Sequence, residues 1–321
     1  MPDPRWPELP YAAWRDTCAT LHLWTQIVGK IRLAATPWLN HSWHVTLRVT
    51  ARGLRTPLIR AGAQDFEIEF DFIDHTLWIR TAAGHFRQVM LRPVSVAQFF
   101  ADVMIALDEL GISLTIDEIP NEIADAIPFR DDRTHAAYDP DYASRFWRVL
   151  LCTHAAMEHF RTAFLGKASP VHFFWGSFDL AVTRFSGRVA PRHPGGIPHL
   201  SDAVVREAYS HEVSSAGFWP GGGPIDYAAF YSYAYPAPEG FASAKVRPAQ
   251  AFFSKDLGEF ILPYDVVRAA PDPDAALMDF LQSTYEAAAT LAGWDRAALE
   301  RQLAPPEGGT QRPSSPQAGA A

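Results

Sequence analysis

The 321-residue chain shows the same order of hydrophobic periods twice. In each half, a segment with one apolar face at helical spacing comes first. Segments that alternate apolar and polar residues follow it, and a second helical segment closes the half. The first half begins this order at about Tyr11, and the second begins it at Asp139-Pro140, a helix N-cap followed by proline. Because strands with one apolar face must be covered, the order predicts an α+β fold with two similar helix–antiparallel β-meander–helix halves.

The similarity of the two halves has two interpretations. The opening helices are predicted to end near Gly29 and Gly166, and the closing helices near Gly111 and Gly293. An internal duplication with a pseudo-twofold arrangement explains this shared order. Two independent units of the same type explain it equally well, because helix–meander–helix units also arise separately.

The boundaries of the predicted units follow from composition. The segment from Pro120 to Pro140 is rich in acids, prolines and polar residues, which is typical of a connector. We therefore predict an N-terminal α+β unit at residues 1–135 and a C-terminal α+β unit at 136–303, with longer loops and the candidate site. Residues 304–321 have the composition of a disordered tail.

The overall composition excludes some classes of partner. The net charge of -8 and the isoelectric point of about 5.8 argue against a general nucleic-acid binder, which needs a broad basic face. No stretch approaches the ~20 apolar residues of a membrane span, and the N-terminal segment has no secretory pattern. Cys18 and Cys152 are far apart, which fits a reducing compartment. We therefore expect a soluble, cytoplasmic protein without a membrane partner. Its oligomeric state and any cofactor stay unknown.

Residues 171–188, VHFFWGSFDLAVTRFSGR, predict a strand whose two faces differ. One parity is apolar. The other parity mixes aromatic residues with hydrogen-bonding groups and contains Trp175, Ser177, Asp179 and Thr183. An apolar lining with a few placed polar groups is typical of a ligand pocket, so we expect these residues on one pocket wall. The alternative is that the polar groups only satisfy hydrogen bonds inside the core.

A local excess of basic residues overlaps this strand. Arg184 and Arg188 belong to the strand itself, and His193 stands in the flexible segment HPGG. Because arginine binds carboxylate and phosphate groups with two parallel hydrogen bonds, these residues predict a site for a small anionic ligand. Pairing of the arginines with Glu207, with Glu212 or with the acids of the connector explains the same pattern equally well.

His211 and Glu212 are candidates for proton transfer. A histidine titrates near neutral pH, and a carboxylate beside it would make it a general base. Adjacent strand residues point to opposite faces, however, so Asp179 or Glu207 is a better partner for His211 than Glu212. Histidine, aspartate and glutamate are the ligand types of many metal sites. No pair in this region has metal-ligand spacing, so no metal site is predicted.

Tyr231, Tyr233 and Tyr235 form a stripe along one side of a later predicted strand. Such a stripe is more often packing at the edge of a core than a platform for a ligand. A binding face would have the same pattern, so both interpretations remain open.

Several strings of the chain are unusual enough to carry a resemblance. They are WPELPYAAW, TLHLWTQIVGK, SPVHFFWGSFDLAVTRFSGR, EAYSHEVSSAGFWPGG and FILPYDVVR. Together they resemble a bacterial family known as domain of unknown function 5996, and the resemblance covers roughly Trp6 to Glu300. It implies a soluble bacterial protein, and it implies no reaction, cofactor or catalytic residue.

Three hypotheses of function remain from the sequence. The leading hypothesis is an enzyme that acts on a small polar or anionic metabolite in a pocket of the C-terminal half. In it, Trp175 and Trp219 line the pocket, Arg184 and Arg188 hold an anion, and His211 transfers protons with Asp179 or Glu212. The alternative is a non-catalytic small-molecule-binding or interaction protein with the same aromatic-rich pocket, and a metal-dependent hydrolase comes third. The sequence does not decide between an enzyme and a binding protein.

Overall fold

The computed structural model describes residues 3–223 and 225–301, and the predicted tail at 304–321 lies outside them. The described part of the chain forms seven α-helices and two antiparallel six-stranded sheets, which confirms the predicted α+β class. The helices are α1 (Tyr11–Ala35), α2 (Val96–Glu109), α3 (Pro140–Thr162), α4 (Asp202–Ala208), α5 (Tyr264–Arg268), α6 (Pro273–Leu291) and α7 (Arg296–Leu299).

The two sheets divide the strands by their order in the chain. The first sheet contains β1 (Arg48–Val49), β2 (Gly53–Arg55), β3 (Ile59–Ala61), β4 (Gln64–Asp71), β5 (Thr76–Thr81) and β6 (Phe86–Met90). The second contains β7 (His172–Phe174), β8 (Asp179–Val189), β9 (His211–Trp219), β10 (Ala229–Tyr235), β11 (Phe252–Ser254) and β12 (Glu259–Pro263). The order in the second sheet is β11-β12-β10-β9-β8-β7. In the first sheet it is β1-β2-β4-β5-β6, with β3 paired to β4.

The two halves share one hydrophobic core. Leu47 and Phe173 exchange backbone hydrogen bonds of 2.9 and 3.1 Å, which join the chain beside β1 to β7. The buried side chains form one cluster that reaches from Trp6 to Trp294. The predicted boundary between residues 135 and 136 therefore lies inside a chain with a continuous core. That boundary and the internal duplication stay predictions.

Helix α1 lies between the two halves and is longer than predicted. It contacts both α2 and α3, and it continues past Gly29 to Ala35. A Cβ atom at Gly29 would lie 2.3 Å from the indole ring of Trp175. Gly29 therefore does not end the helix. It leaves room for a tryptophan that packs flat against the helix backbone.

The segment at residues 171–188 is a hairpin rather than the single predicted strand. Strand β7 ends at Phe174, a turn spans residues 175–178, and β8 begins at Asp179. Phe178 has a φ of +58°, a conformation that non-glycine residues rarely adopt. The turn was missed because its aromatic residues are themselves strand formers and its only glycine is Gly176.

Candidate functional site

The second sheet has one face packed against helices and one face that lines a cavity. Helices α3 and α6 cover the first face. The cavity on the other face has a volume of about 960 Å³, within the size range of small-molecule sites. The sheet residues on its wall include Asp179, Ala181, Thr183, Ser215, Tyr231, Tyr233 and Glu259. Other walls come from α1, from α4, from the turn at 175–178 and from residues 121–123 of the connector, and loop residues within 38–45, 197–201 and 221–225 complete the lining.

Asp179 is the most enclosed acidic group of the cavity. Its carboxyl accepts hydrogen bonds from the Ser177 hydroxyl at 2.5 Å and from the Tyr231 hydroxyl. These two bonds favour the charged form, but burial opposes it more strongly and raises the pKa of Asp179 above its ordinary value. The turn and the opposing strand β10 thus hold this carboxyl in one orientation.

Two glutamates face the same cavity. Glu122 comes from the connector and Glu259 from the start of β12. Burial, assisted by the negative charge of Asp179, raises the pKa of each glutamate to about 7. Within residues 3–223 and 225–301, neither glutamate side chain has a hydrogen-bond partner. The cavity therefore contains two carboxyl groups that change charge near neutral pH.

The position of Glu122 follows from contacts between the connector and α1. The Gln26 side chain accepts a hydrogen bond of 2.8 Å from the Asn121 N–H and donates one of 3.0 Å to the Asn121 carbonyl. The backbone N–H of Glu122 donates to the Pro198 carbonyl at 2.9 Å. A Cβ atom at Gly176 would lie 2.1 Å from a carboxyl oxygen of Glu122, so glycine in the turn makes room for this carboxyl.

Hydroxyl groups line the sheet wall beside the carboxyls. The Tyr209 and Tyr233 hydroxyls are 2.9 Å apart, and those of Thr183 and Ser215 are 2.8 Å apart. Tyr231 packs flat over Gly217 of the neighbouring strand, with which it is in register. Burial raises the pKa of Tyr209 to about 12, so this tyrosine is a neutral hydrogen-bonding group at physiological pH.

His22 on α1 forms part of the opposite wall. Its Nε2 atom lies 2.8 Å from the Gly176 carbonyl, and its ring stacks on Phe178 with centroids 4.9 Å apart. Burial lowers the pKa of His22 to about 4. A neutral His22 donates its Nε2–H to the turn and therefore adds no positive charge to the cavity at neutral pH.

One comparison with known proteins identifies the chain. A model described as "Family of unknown function (DUF5996)" matches residues 6–301. The chain belongs to the DUF5996 family. No curated protein and no solved structure matches this DUF5996 chain. In the ranges that the structure describes, no helix is long and apolar enough to cross a membrane.

The structure of the DUF5996 chain brings together only part of the residue set predicted from the sequence. Trp175, Ser177, Asp179 and Thr183 all lie on the cavity wall, and Trp219 lies there too, at the end of β9. The indole N–H of Trp175 donates to the Val45 carbonyl at 2.9 Å, so its ring is held in place from the first half. The remaining predicted residues lie elsewhere.

Arg184 lies on the opposite face of the sheet, and its assignment to the pocket is wrong. Strand residues alternate between faces, so Thr183 faces the cavity and Arg184 faces α3. The guanidinium stacks at 3.4 Å from the ring centroid of Phe160, with Tyr285 at 4.3 Å and Phe164 at 5.0 Å. The side chain is 1% exposed, and burial lowers its pKa to about 10.

Arg188 and Glu212 form a pair outside the cavity, so the structure does not bring them to the site where anion binding and proton transfer were predicted. The guanidinium of Arg188 lies 2.6 Å from the Glu212 carboxylate. It also donates to the carbonyl groups of Ala292 and Gly293, just beyond the end of α6. A cation at the end of a helix is stabilised by the helix dipole, which makes this a structural pair. The ion-pair interpretation of the basic residues therefore describes Arg188 better than the anion-site interpretation.

His211 and His193 lie near the cavity without reaching Asp179. His211 begins β9, whereas Asp179 lies beside the other end of that strand, about 25 Å away at 3.3 Å per residue. The nearest partner of the His211 ring is the Ser210 hydroxyl at 3.0 Å from Nδ1. His193 stacks on Tyr209 with ring centroids 4.7 Å apart. The predicted His211–Asp179 pair is therefore excluded by the distance along the strand.

No sequence pattern predicted Glu122, Glu259 or His22 as site residues, and Tyr231 was predicted only as part of a stripe. Glu122 and His22 were assigned to a connector and to a core helix of the other half. No local pattern links these segments to β8, because the connection exists only in three dimensions. The one available signal was Gly217, a glycine inside a strand pattern, which indicates that another group approaches closely.

Gly217→Ala is expected to displace Tyr231 and to lower the stability of the protein by about 1–3 kcal/mol. A Cβ atom at this position would lie 2.3 Å from the Tyr231 ring and hydroxyl. The ring must move away from β9, and its hydrogen bond to Asp179 is then lost. Urea-induced unfolding of the variant measures the change. In a Tyr231→Leu background, Gly217→Ala should lower the stability much less. An equal loss of stability in both backgrounds contradicts this explanation.

Proposed function

We propose that this DUF5996 protein is an enzyme that binds a small polar metabolite in the cavity and exchanges protons with it through Glu122 and Glu259. The observation that carries the proposal is the presence of two cavity-facing glutamates with pKa values of about 7. A general acid or base works best when its pKa lies near the operating pH. Perturbed carboxyl groups in a cavity are typical of catalytic sites, and a purely binding site does not need them.

Asp179 has a different role in this proposal. It accepts hydrogen bonds from Ser177 and Tyr231, which favour its charged form, and its charge raises the pKa of both glutamates. We therefore assign to Asp179 the electrostatic control of the two proton-transferring groups. Carboxyl groups in different environments commonly divide acid–base work in this way.

The remaining features support a small, polar substrate in a protected site. Aromatic rings of Trp175, Phe178 and Trp219 supply apolar walls, and the tyrosine and serine hydroxyls supply hydrogen bonds. Neither lysine nor arginine is among the cavity-lining residues of the described chain, so the site favours substrates without negative charge. We retain a bacterial origin from the family resemblance as part of this proposal, and a cytoplasmic setting because Cys18 and Cys152 are both free thiols.

A screen of metabolites by thermal shift, followed by product analysis, tests the proposal. A compound that binds only the native state raises the unfolding temperature, so ligands can be found without knowledge of the reaction. Each ligand is then incubated with a catalytic amount of the protein and followed by mass spectrometry. We expect at least one ligand to be converted, and we expect Asp179→Asn to lower the rate at least tenfold. Glu212→Gln, a matched change outside the cavity, should leave the rate unchanged.

The alternative function is a non-catalytic small-molecule-binding protein with the same cavity. It predicts that a ligand protects the protein and responds to Asp179→Asn, but is recovered unchanged after prolonged incubation with the wild-type protein. That result would contradict the enzyme proposal and support the binding protein.

A further inference from the structure

The cavity lining is rich in acidic groups. Asp179, Glu122 and Glu259 contribute three carboxyl groups, and no lysine or arginine lies among the lining residues that the structure describes. The two arginines that follow Asp179 in the chain have other partners, since Arg184 is stacked among aromatic rings and Arg188 is paired with Glu212. Lys167 lies just behind the wall, with its ammonium 2.9 Å from the His41 ring. The three carboxyl groups of the lining repel a ligand with a negative charge.

The carboxyl groups also lack hydrogen-bond donors. Within the described residues, Asp179 receives bonds from Ser177 and Tyr231, whereas no protein group donates to the side chain of Glu122 or Glu259. The oxygens of these two glutamates are therefore free to accept hydrogen bonds from a ligand, and mutual repulsion of the carboxylates is unfavourable. A ligand with N–H donors and a positive charge bonds to these oxygens and reduces the repulsion.

The arrangement suits an organic cation rather than a compact ion. In residues 3–223 and 225–301, no three histidine, cysteine, aspartate or glutamate side chains are placed to coordinate one metal ion. The carboxyls instead border a cavity of about 960 Å³, and one wall carries the stacked rings of Tyr231 and Tyr233, 6.1 Å apart. Aromatic faces attract ammonium groups and accept the alkyl chains attached to them.

We propose that the ligand of this cavity is an organic amine whose positive charge is attracted by the carboxyl groups of Asp179, Glu122 and Glu259 and whose carbon chain lies against the aromatic wall. This inference rests on the proposed function in naming the substrate class of the same site. It replaces the small anionic ligand predicted from the sequence, because the arginines on which that prediction depended lie outside the cavity.

Calorimetric titration with three five-carbon compounds tests the inference. The probes are 1,5-diaminopentane, 1,5-pentanediol and glutarate, which share a chain and differ in their end groups. Glucose serves as a neutral sugar for comparison. We expect saturable binding of the diamine to the full chain in the millimolar range that is usual for such small ligands. The diol, glutarate and glucose should bind at least tenfold more weakly.

Two pocket variants and one matched control assign the binding to the carboxyls. Glu122→Gln and Glu259→Gln should each weaken diamine binding at least tenfold. Glu212→Gln changes the net charge by the same amount outside the cavity, so it should change the affinity less than twofold. Equal binding of the diol, glucose or glutarate overturns the inference. It is also overturned by pocket variants with wild-type affinity, or by no saturable diamine binding at all.

The outcomes separate this inference from the proposed function. If the metabolite screen finds a neutral or anionic compound that the protein converts, the amine inference is wrong and the enzyme proposal stands. If an amine binds through the carboxyls and is recovered unchanged, the amine inference stands and the enzyme proposal is wrong.

Discussion

Glu122→Gln is expected to make the folded protein more stable at pH 8 by about 1–2 kcal/mol, while the two proteins have similar stability at pH 5. The pKa of Glu122 is raised from 4.5 to about 7 in the folded state, so the folded protein holds this proton more tightly than the unfolded chain. The resulting stabilisation is complete below pH 4.5 and is lost as the pH rises through 7. Glutamine has no ionisable group, so the variant has no corresponding loss of stability as the pH rises. The figure is below the full effect of the shift, because the carboxyl faces a solvent-accessible cavity.

Urea-induced unfolding at both pH values measures this change. The other histidine and carboxyl groups of the cavity lining are Asp179, Glu259, His22 and His41, and each is present in both proteins. Their own contributions therefore largely cancel in the difference. Glu212→Gln is the matched control, and it should show no gain at pH 8, because that glutamate pairs with Arg188 at 2.6 Å. A variant that is less stable than the wild type at pH 8 contradicts the assigned environment of Glu122.

The same substitution should remove the proton-transferring group. For a converted metabolite, we expect kcat of Glu122→Gln to fall by about 100- to 10,000-fold, the usual contribution of a general acid or base. Stability gained together with activity lost distinguishes a functional carboxyl from a structural one, because removing a structural carboxyl lowers stability. A wild-type kcat in the variant assigns the proton transfer to another group, with Glu259 as the next candidate.

Arg184→Ala is expected to lower the free energy of unfolding by about 3–5 kcal/mol. The guanidinium is fully buried, donates to the Phe160 carbonyl and lies against three aromatic rings. Alanine removes these contacts and leaves a cavity between β8, α3 and α6. Urea-induced unfolding of the two proteins at pH 7 gives the difference. An unchanged stability would mean that the arginine is not packed as described.

Arg184→Met distinguishes a packing role of Arg184 from a role in binding an anion. Methionine restores most of the volume without a buried charge, so it should cost less than alanine, about 1–2 kcal/mol. Because Arg184 lies behind the sheet, the folded methionine variant should bind any cavity ligand with the affinity of the wild type. Loss of ligand binding in a folded Arg184→Met protein would restore the anion-site interpretation.

The α+β class followed from the sequence because each segment carries its own local signal. In α3, the Asp139 side chain accepts hydrogen bonds from the backbone N–H groups of Asp141 and Tyr142, as the Asp-Pro pattern predicts. In α6, Asp272 accepts one from Ala275 in the same way. Such signals depend on neighbours within one turn of the chain, so they can be recognised without knowledge of the tertiary structure.

The residues of β8 that share a face were also predicted from the local sequence. That prediction did not say which face borders a cavity. Asp179 and Thr183 line the cavity together because side chains in a strand alternate. The same alternation turns Arg184 away from the cavity, so the local basic charge did not indicate a basic site. The sequence pattern showed which residues share a face, and it did not show which face is open.

The sequence by itself therefore determined the element types, the helix starts and the two-faced character of the strand that begins at Asp179. Only the tertiary structure decided that Glu122 of the connector, Glu259 of β12 and His22 of α1 meet beside that strand. The physical reason is that helix and strand formation depend on neighbouring residues. The charge and proton affinity of a cavity depend on groups that come together only when distant segments share one core.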